Sequence, residues 1–163
     1  MNIEDLLIST AEISVAFTGF AGVVGAFWAR SNRTENATYR LRQMILTSLS
    51  TLAMALTPLL MLALGMEHAS TWRAASAIYA PTTLLFSTRS IFQARHFLHE
   101  NSISRWFTGV VGVGTLVSVA AAVVNAFGLF PDERLGGVYL ACVWWLLALS
   151  GAFFVRLFGA LHG

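Results

Sequence analysis

The amino-acid sequence predicts an all-α fold: a polytopic integral membrane bundle of five transmembrane helices, forming one domain over residues 1–163. Three observations predict it. The chain is 56% hydrophobic and 11% charged, against about 25% charged in an average soluble domain, too little charge to cover a water-facing surface. Five apolar stretches are each long enough to cross a hydrocarbon core, which takes roughly 20 helical residues. The charges fall between these stretches and sort by side.

The first stretch, Leu6–Trp28, is interrupted by one ionisable residue, Glu12. The second is Met44–Leu64, with Pro58. The third, Ala74–Phe92, is the least apolar, with Pro81, Thr82, Thr83 and Arg89. The fourth is Phe107–Phe130, and the fifth is Val138–Phe158, with Arg156 near its end. Nothing outside these spans is large enough for a soluble domain. The opening residues carry Glu4 and Asp5. A signal peptide needs a positive n-region and a small-residue cleavage site, so the first span is expected to be retained.

Arginine placement sets the threading. Arg30, Arg33, Arg40 and Arg42 follow the first span, Arg89, Arg95 and Arg105 surround the third connection, and Arg156 closes the fifth span. Arg73 and Arg134 fall on the other side, accompanied by Glu4, Asp5, Glu67, Asp132 and Glu133. Cytoplasmic loops carry the excess of Arg and Lys, so the N-terminus is expected outside and the C-terminus in the cytoplasm. Omitting the third span would place Arg89, Arg95 and Arg105 outside, against that rule. Trp28, Trp72 and Trp106 fall at span ends, where aromatic belts lie. The acceptor sequences Asn32-Arg33-Thr34 and Asn36-Ala37-Thr38 read as polar loop on the cytoplasmic face.

Composition also excludes chemistries. All ten positive residues are Arg, so there is no Schiff-base lysine and no phosphate loop that depends on one. The single cysteine, Cys142, cannot form an internal disulfide or a cysteine cluster. No span contains a histidine, which removes a bis-histidine haem between helices. His96, His99 and Glu100 read as an amphipathic cytoplasmic continuation of the third helix. No nucleophile–base pair, carboxylate pair or metal motif occurs. The expectation is therefore a protein that is not an enzyme and has no catalytic residues, metal or cofactor. The arginines follow a membrane pattern, so the expected partner is the lipid bilayer and not nucleic acid.

Helical periodicity assigns faces. In lipid, small residues permit close helix approach. Gly19, Gly22 and Gly25, with Ala11, Ser14 and Ala21, gather opposite Ile13, Phe17, Phe20 and Val24, and this small side is expected to face protein. In the fourth span Gly114, Ser118, Ala121, Asn125 and Gly128 recur at spacings of 4, 3, 4 and 3, a second packing seam. Thr47, Thr51, Pro58 and Gly65 share a stripe of the second span, where Pro58 leaves the Met54 carbonyl without its helical donor. Trp144 and Trp145 point about 100° apart, so at least one is expected to pack against protein, with a stacking surface for a ligand as the other reading.

Glu12 is the residue closest to chemistry. It lies roughly 9 Å along the first span by helical rise, and an ionisable group at such depth is costly unless paired or wetted. Two readings stand: a proton- or cation-binding carboxyl, or a glutamate that reaches the interface. Asn125, Tyr79 and Thr57 fall at comparable depth, so a polar layer of these four is one reading; interhelical hydrogen bonding is the other for Asn125.

The run Ala11-Glu12-Ile13 followed by Ala16-Phe17-x-Gly19-Phe20-x-Gly22-Val23-Val24 resembles the opening helix of small bacterial multi-spanning membrane proteins. The resemblance covers that helix and implies a multi-pass protein of the bacterial inner (cytoplasmic) membrane; no activity transfers with it. Two functions follow from the residues. One is a self-associating bundle, a homo-oligomer giving a pathway for a proton, ion or small solute. The other is a non-enzymatic accessory or assembly subunit bound to other membrane subunits of a larger complex.

Overall fold

The computed structural model of the chain describes residues 2–28, 35–98 and 105–159. Arg30, Arg33, the Asn32–Thr34 acceptor, His99 and Glu100 lie outside the described residues, as do the side chains of Trp28, Arg95, His96 and Arg105. Five helices follow in order: α1 (Ile3–Trp28), α2 (Glu35–Ala63), α3 (His68–Leu98), α4 (Arg105–Ala126) and α5 (Asp132–Gly159).

Their ends have local causes. Asn2 opens α1: its carbonyl accepts from Leu6 N, and its own N–H donates to the Asp5 carboxylate at 3.2 Å. Glu4 and Asp5 in that first turn complement the positive end of the helix dipole, as Asp132 and Glu133 do for α5. α2 and α4 stop in the same way. Gly65 (φ 84°) and Gly128 (φ 68°) adopt the left-handed conformation, and the two N–H groups at each turn bond back across it, Met66 to Met61 and Leu129 to Val124 among them. This is a Schellman cap, which favours glycine because no Cβ opposes positive φ. The sequence predicts a fourth span that runs to Phe130, and packing stripes that include Gly65 and Gly128. Both glycines instead lie beyond their helices as caps.

Four helices, α1, α2, α4 and α5, are long and apolar enough to cross a membrane. α3 is not apolar enough to count among them, being rich in Ser and Thr. It holds its place in the bundle by turning Thr71, Ser76, Tyr79 and Thr83 inward, all buried. The outer surface is apolar: Phe27, Leu85, Val113, Leu116 and Val117 are exposed. An all-helical bundle with polar groups inside and hydrocarbon outside has the surface of a membrane protein.

α5 is the central helix and touches the other four. α1 packs on α2 and α5, whereas α3 packs on α4, α2 and α5. Cross-helix bonds fix antiparallel registers: Ser48 with Ser150 and Tyr139 with Met54 between α2 and α5, and Asn125 with Ser76 and Tyr79 with Ser118 between α3 and α4. The larger core centres on Leu7, Met54, Tyr79, Leu135, Tyr139 and Val143, and a smaller one on Ala21, Leu41 and Met44. Trp72, expected in an interfacial belt, is buried against Tyr139 with ring centroids 6.0 Å apart, and packs close to Gly136. Trp106 is exposed.

Candidate functional site

The polar groups of the interior are mainly hydroxyls and amides. Among the described residues thirteen buried ones are polar and none is charged. Tyr79 is the main junction. Its hydroxyl donates to the Cys142 carbonyl at 2.8 Å and meets the Ser118 hydroxyl at 2.7 Å, while the Cys142 thiol bonds the Ser118 carbonyl. One phenol thereby ties α3, α4 and α5. About two turns along α4, the Asn125 amide donates to Ser76 Oγ at 2.8 Å and to the Leu135 carbonyl at 3.0 Å. Asn125 Oδ1 and Thr71 Oγ1 are, among the described residues, the buried side-chain atoms left without a partner.

A second junction compensates a proline. Pro58 has no N–H, so it cannot donate to the Met54 carbonyl one turn back. The Tyr139 hydroxyl donates to that carbonyl at 2.6 Å, with the ring fully buried. α2 runs on through Pro58 as a helix. Tyr139 carried no signal in the sequence beyond being a polar tip in an apolar run; only its position opposite Met54 shows its role.

The two tryptophans split between neighbours. Trp144 Nε1 donates to Thr10 Oγ1 on α1 at 3.0 Å, and Trp145 Nε1 donates to Thr115 Oγ1 on α4 at 3.2 Å. The Trp145 ring lies so close to Gly114 that a Cβ there would stand 2.1 Å from it. Ser118 is buried, Ala121 packs on the core, and the Gly128 turn lies under the Arg73 guanidinium. Arg73 passes over that turn to pair with Asp132 at 2.8 Å, both groups largely exposed.

The structure does not gather the four polar residues of the expected layer. Tyr79 and Asn125 lie in the α3–α4–α5 interior with separate partners. Thr57 donates to the Ala53 carbonyl of its own helix at 2.7 Å. Glu12 is exposed on α1. Among the described residues α1 does not touch α3 or α4, so Glu12 cannot reach Asn125 or Tyr79 within one chain.

The small side of α1 also divides. Ala11, Ser14 and Ala21 are buried and Gly25 meets Leu41, but Gly19 and Gly22 are exposed, with nothing within 4 Å of where a Cβ would stand. Glu12, Val15, Gly19, Gly22 and Ala26, at spacings of 3, 4, 3 and 4, are all exposed. Phe17, expected toward lipid, packs its ring 5.6 Å from Phe154. Among the described residues, no three of His, Cys, Asp and Glu come together to hold a metal ion. Comparison with protein-family models, characterised proteins and solved structures found no match to this chain.

Proposed function

We propose that the chain is a non-enzymatic, multi-pass protein of the bacterial inner membrane that works by self-association. In this reading α3 is the fifth span, the N-terminus is outside and the C-terminus cytoplasmic. Copies meet through the Glu12–Gly19–Ala26 face of α1, and the Glu12 carboxyls at that interface form a proton or cation site. The observation that carries the reading is the exposure of Glu12 on the same seam as Gly19 and Gly22. Glu12 lies about 13 Å of helical rise from Ile3, the first residue of α1. A carboxyl facing hydrocarbon at that depth is costly, and covering it with a second helix relieves the cost. The open space at both glycines permits the backbone approach such a contact requires.

The test is the oligomeric state of the purified protein, followed by flux in reconstituted vesicles. Gly19→Leu and Gly22→Leu leave each bundle folded, because their side chains enter open space, and shift an oligomer toward monomer. Glu12→Gln preserves assembly and abolishes proton- or cation-dependent flux. A monomer at all concentrations, or unaltered flux in the Gln variant, refutes this reading. Purification as a defined complex with other membrane proteins would assign the chain instead as an accessory or assembly subunit.

A further inference from the structure

At the arginine-rich end of the bundle, α2, α3, α4 and α5 part to leave a cavity of about 310 Å³, within the range of small-molecule sites. Its walls are hydrocarbon: Phe86, Val111, Val119, Leu146, Leu149 and Phe153 face it. Most hydroxyls on the walls are already engaged. Thr47 donates to the Gln43 carbonyl, Thr88 to the Leu84 carbonyl, and Thr115 accepts from Trp145. Leu84 and Leu116 also line it and are exposed on the outside of the bundle, so the cavity opens sideways between α3 and α4.

Among the described residues, the charged ones on the lining are both cations, Arg40 and Arg156. They are held rather than loose. Arg40 Nη1 donates to the Arg156 carbonyl at 2.9 Å, and the Arg156 guanidinium lies 3.6 Å from the centroid of the Phe107 ring. Two like charges on the wall of one cavity repel one another. A second, smaller cavity of about 150 Å³ shares Gln43, Phe86 and Ser90 with the first and adds Arg42 and Arg89. In their shared wall Ser90 Oγ donates to Gln43 Oε1 at 3.1 Å. Arg40 on α2 and Arg156 on α5 thus line a hydrocarbon-walled space that opens on the apolar surface, and Arg42 and Arg89 line the smaller cavity beside it.

We propose that this cavity binds an anionic phospholipid, one acyl chain inside and the phosphate between Arg40 and Arg156. A chain can enter only from a hydrocarbon phase, and the opening lies on the surface that would face one. An anion offsets the repulsion between two cations that the fold places together. Basic pockets between membrane helices are a recurring mode of acidic headgroup recognition.

The experiment uses the full chain in a neutral detergent, with native mass spectrometry for bound lipid and a thermal melt for stabilisation. The probes are phosphatidylglycerol, phosphatidylcholine with the same chains, and inorganic phosphate. Phosphatidylglycerol is expected to bind and raise the melting temperature, and the other two are not. Arg40→Gln and Arg156→Gln each weaken phosphatidylglycerol binding about fivefold, the worth of one arginine near an acidic lipid surface. Gly112→Phe blocks the cavity. Gly112 lines it and has open space at its Cβ, so this variant keeps its helix content and lipid-free melt while losing lipid binding. Equal binding of the two lipids, stabilisation by phosphate alone, or full binding by the Gly112 variant overturns the proposal. None of these readouts involves α1, so they stand apart from the test of self-association.

Discussion

Removing the Tyr139 hydroxyl tests whether one buried phenol repairs the backbone at Pro58. In Tyr139→Phe the ring stays and the 2.6 Å bond to the Met54 carbonyl is lost. A hydrogen bond between membrane helices averages only about 0.6 kcal/mol, with a maximum near 1.7. A buried acceptor left wholly unpaired costs about 1–3 kcal/mol. The Met54 carbonyl belongs to the second case, because residue 58 offers no N–H and Tyr139 is fully buried. The expected loss is about 1.5 kcal/mol, where the two ranges overlap. Pro58→Ala restores the missing donor, so the same Tyr139→Phe change in that background is expected to cost about 0.5 kcal/mol. The difference, about 1 kcal/mol, is the coupling a double-mutant cycle reads. Reversible unfolding in mixed detergent–dodecyl sulfate micelles, followed by far-UV circular dichroism, supplies the four free energies. Costs that agree in both backgrounds within about 0.4 kcal/mol would count as additive. That result would refute the assignment of Tyr139 as the partner that replaces the amide of residue 58.

Two further outcomes follow. Gly114→Ala puts a Cβ 2.1 Å from the Trp145 ring, so it is expected to destabilise by about 1–3 kcal/mol, as overpacking does, and to shift tryptophan emission; an unchanged melt would show that the indole moves freely. In a Cys142→Ala background, a cysteine at Asn36 is expected to react with an impermeant thiol reagent only from the cytoplasmic side, and labelling from the outside would reverse the threading.

The sequence by itself determined that this chain is a bundle of long apolar helices and where α1, α2 and α5 end, to within a residue. Helix length and hydropathy are local properties, and Pro58 must strand a carbonyl wherever its helix packs; Gly65 and Gly128, expected on packing stripes, are shown by the structure to cap α2 and α4. Tertiary structure decided which face of each helix turns inward. In α1 the seams Ala11–Ser14–Thr18–Ala21–Gly25 and Glu12–Val15–Gly19–Gly22–Ala26 share one spacing and differ by a single residue, about 100° of rotation. Both are rich in small residues. A soluble helix would declare its inner face by hydrophobicity, but in a chain with an apolar exterior both faces are made of similar residues. The choice falls to partners remote in sequence: the Trp144 indole reaching Thr10, Phe154 meeting Phe17, and Leu41 against Gly25. The same reason hid Tyr139 and the arginine-lined cavity. A hydroxyl opposite a stranded carbonyl, or a space between four helices, exists only once the registers of α2, α3, α4 and α5 are set against one another.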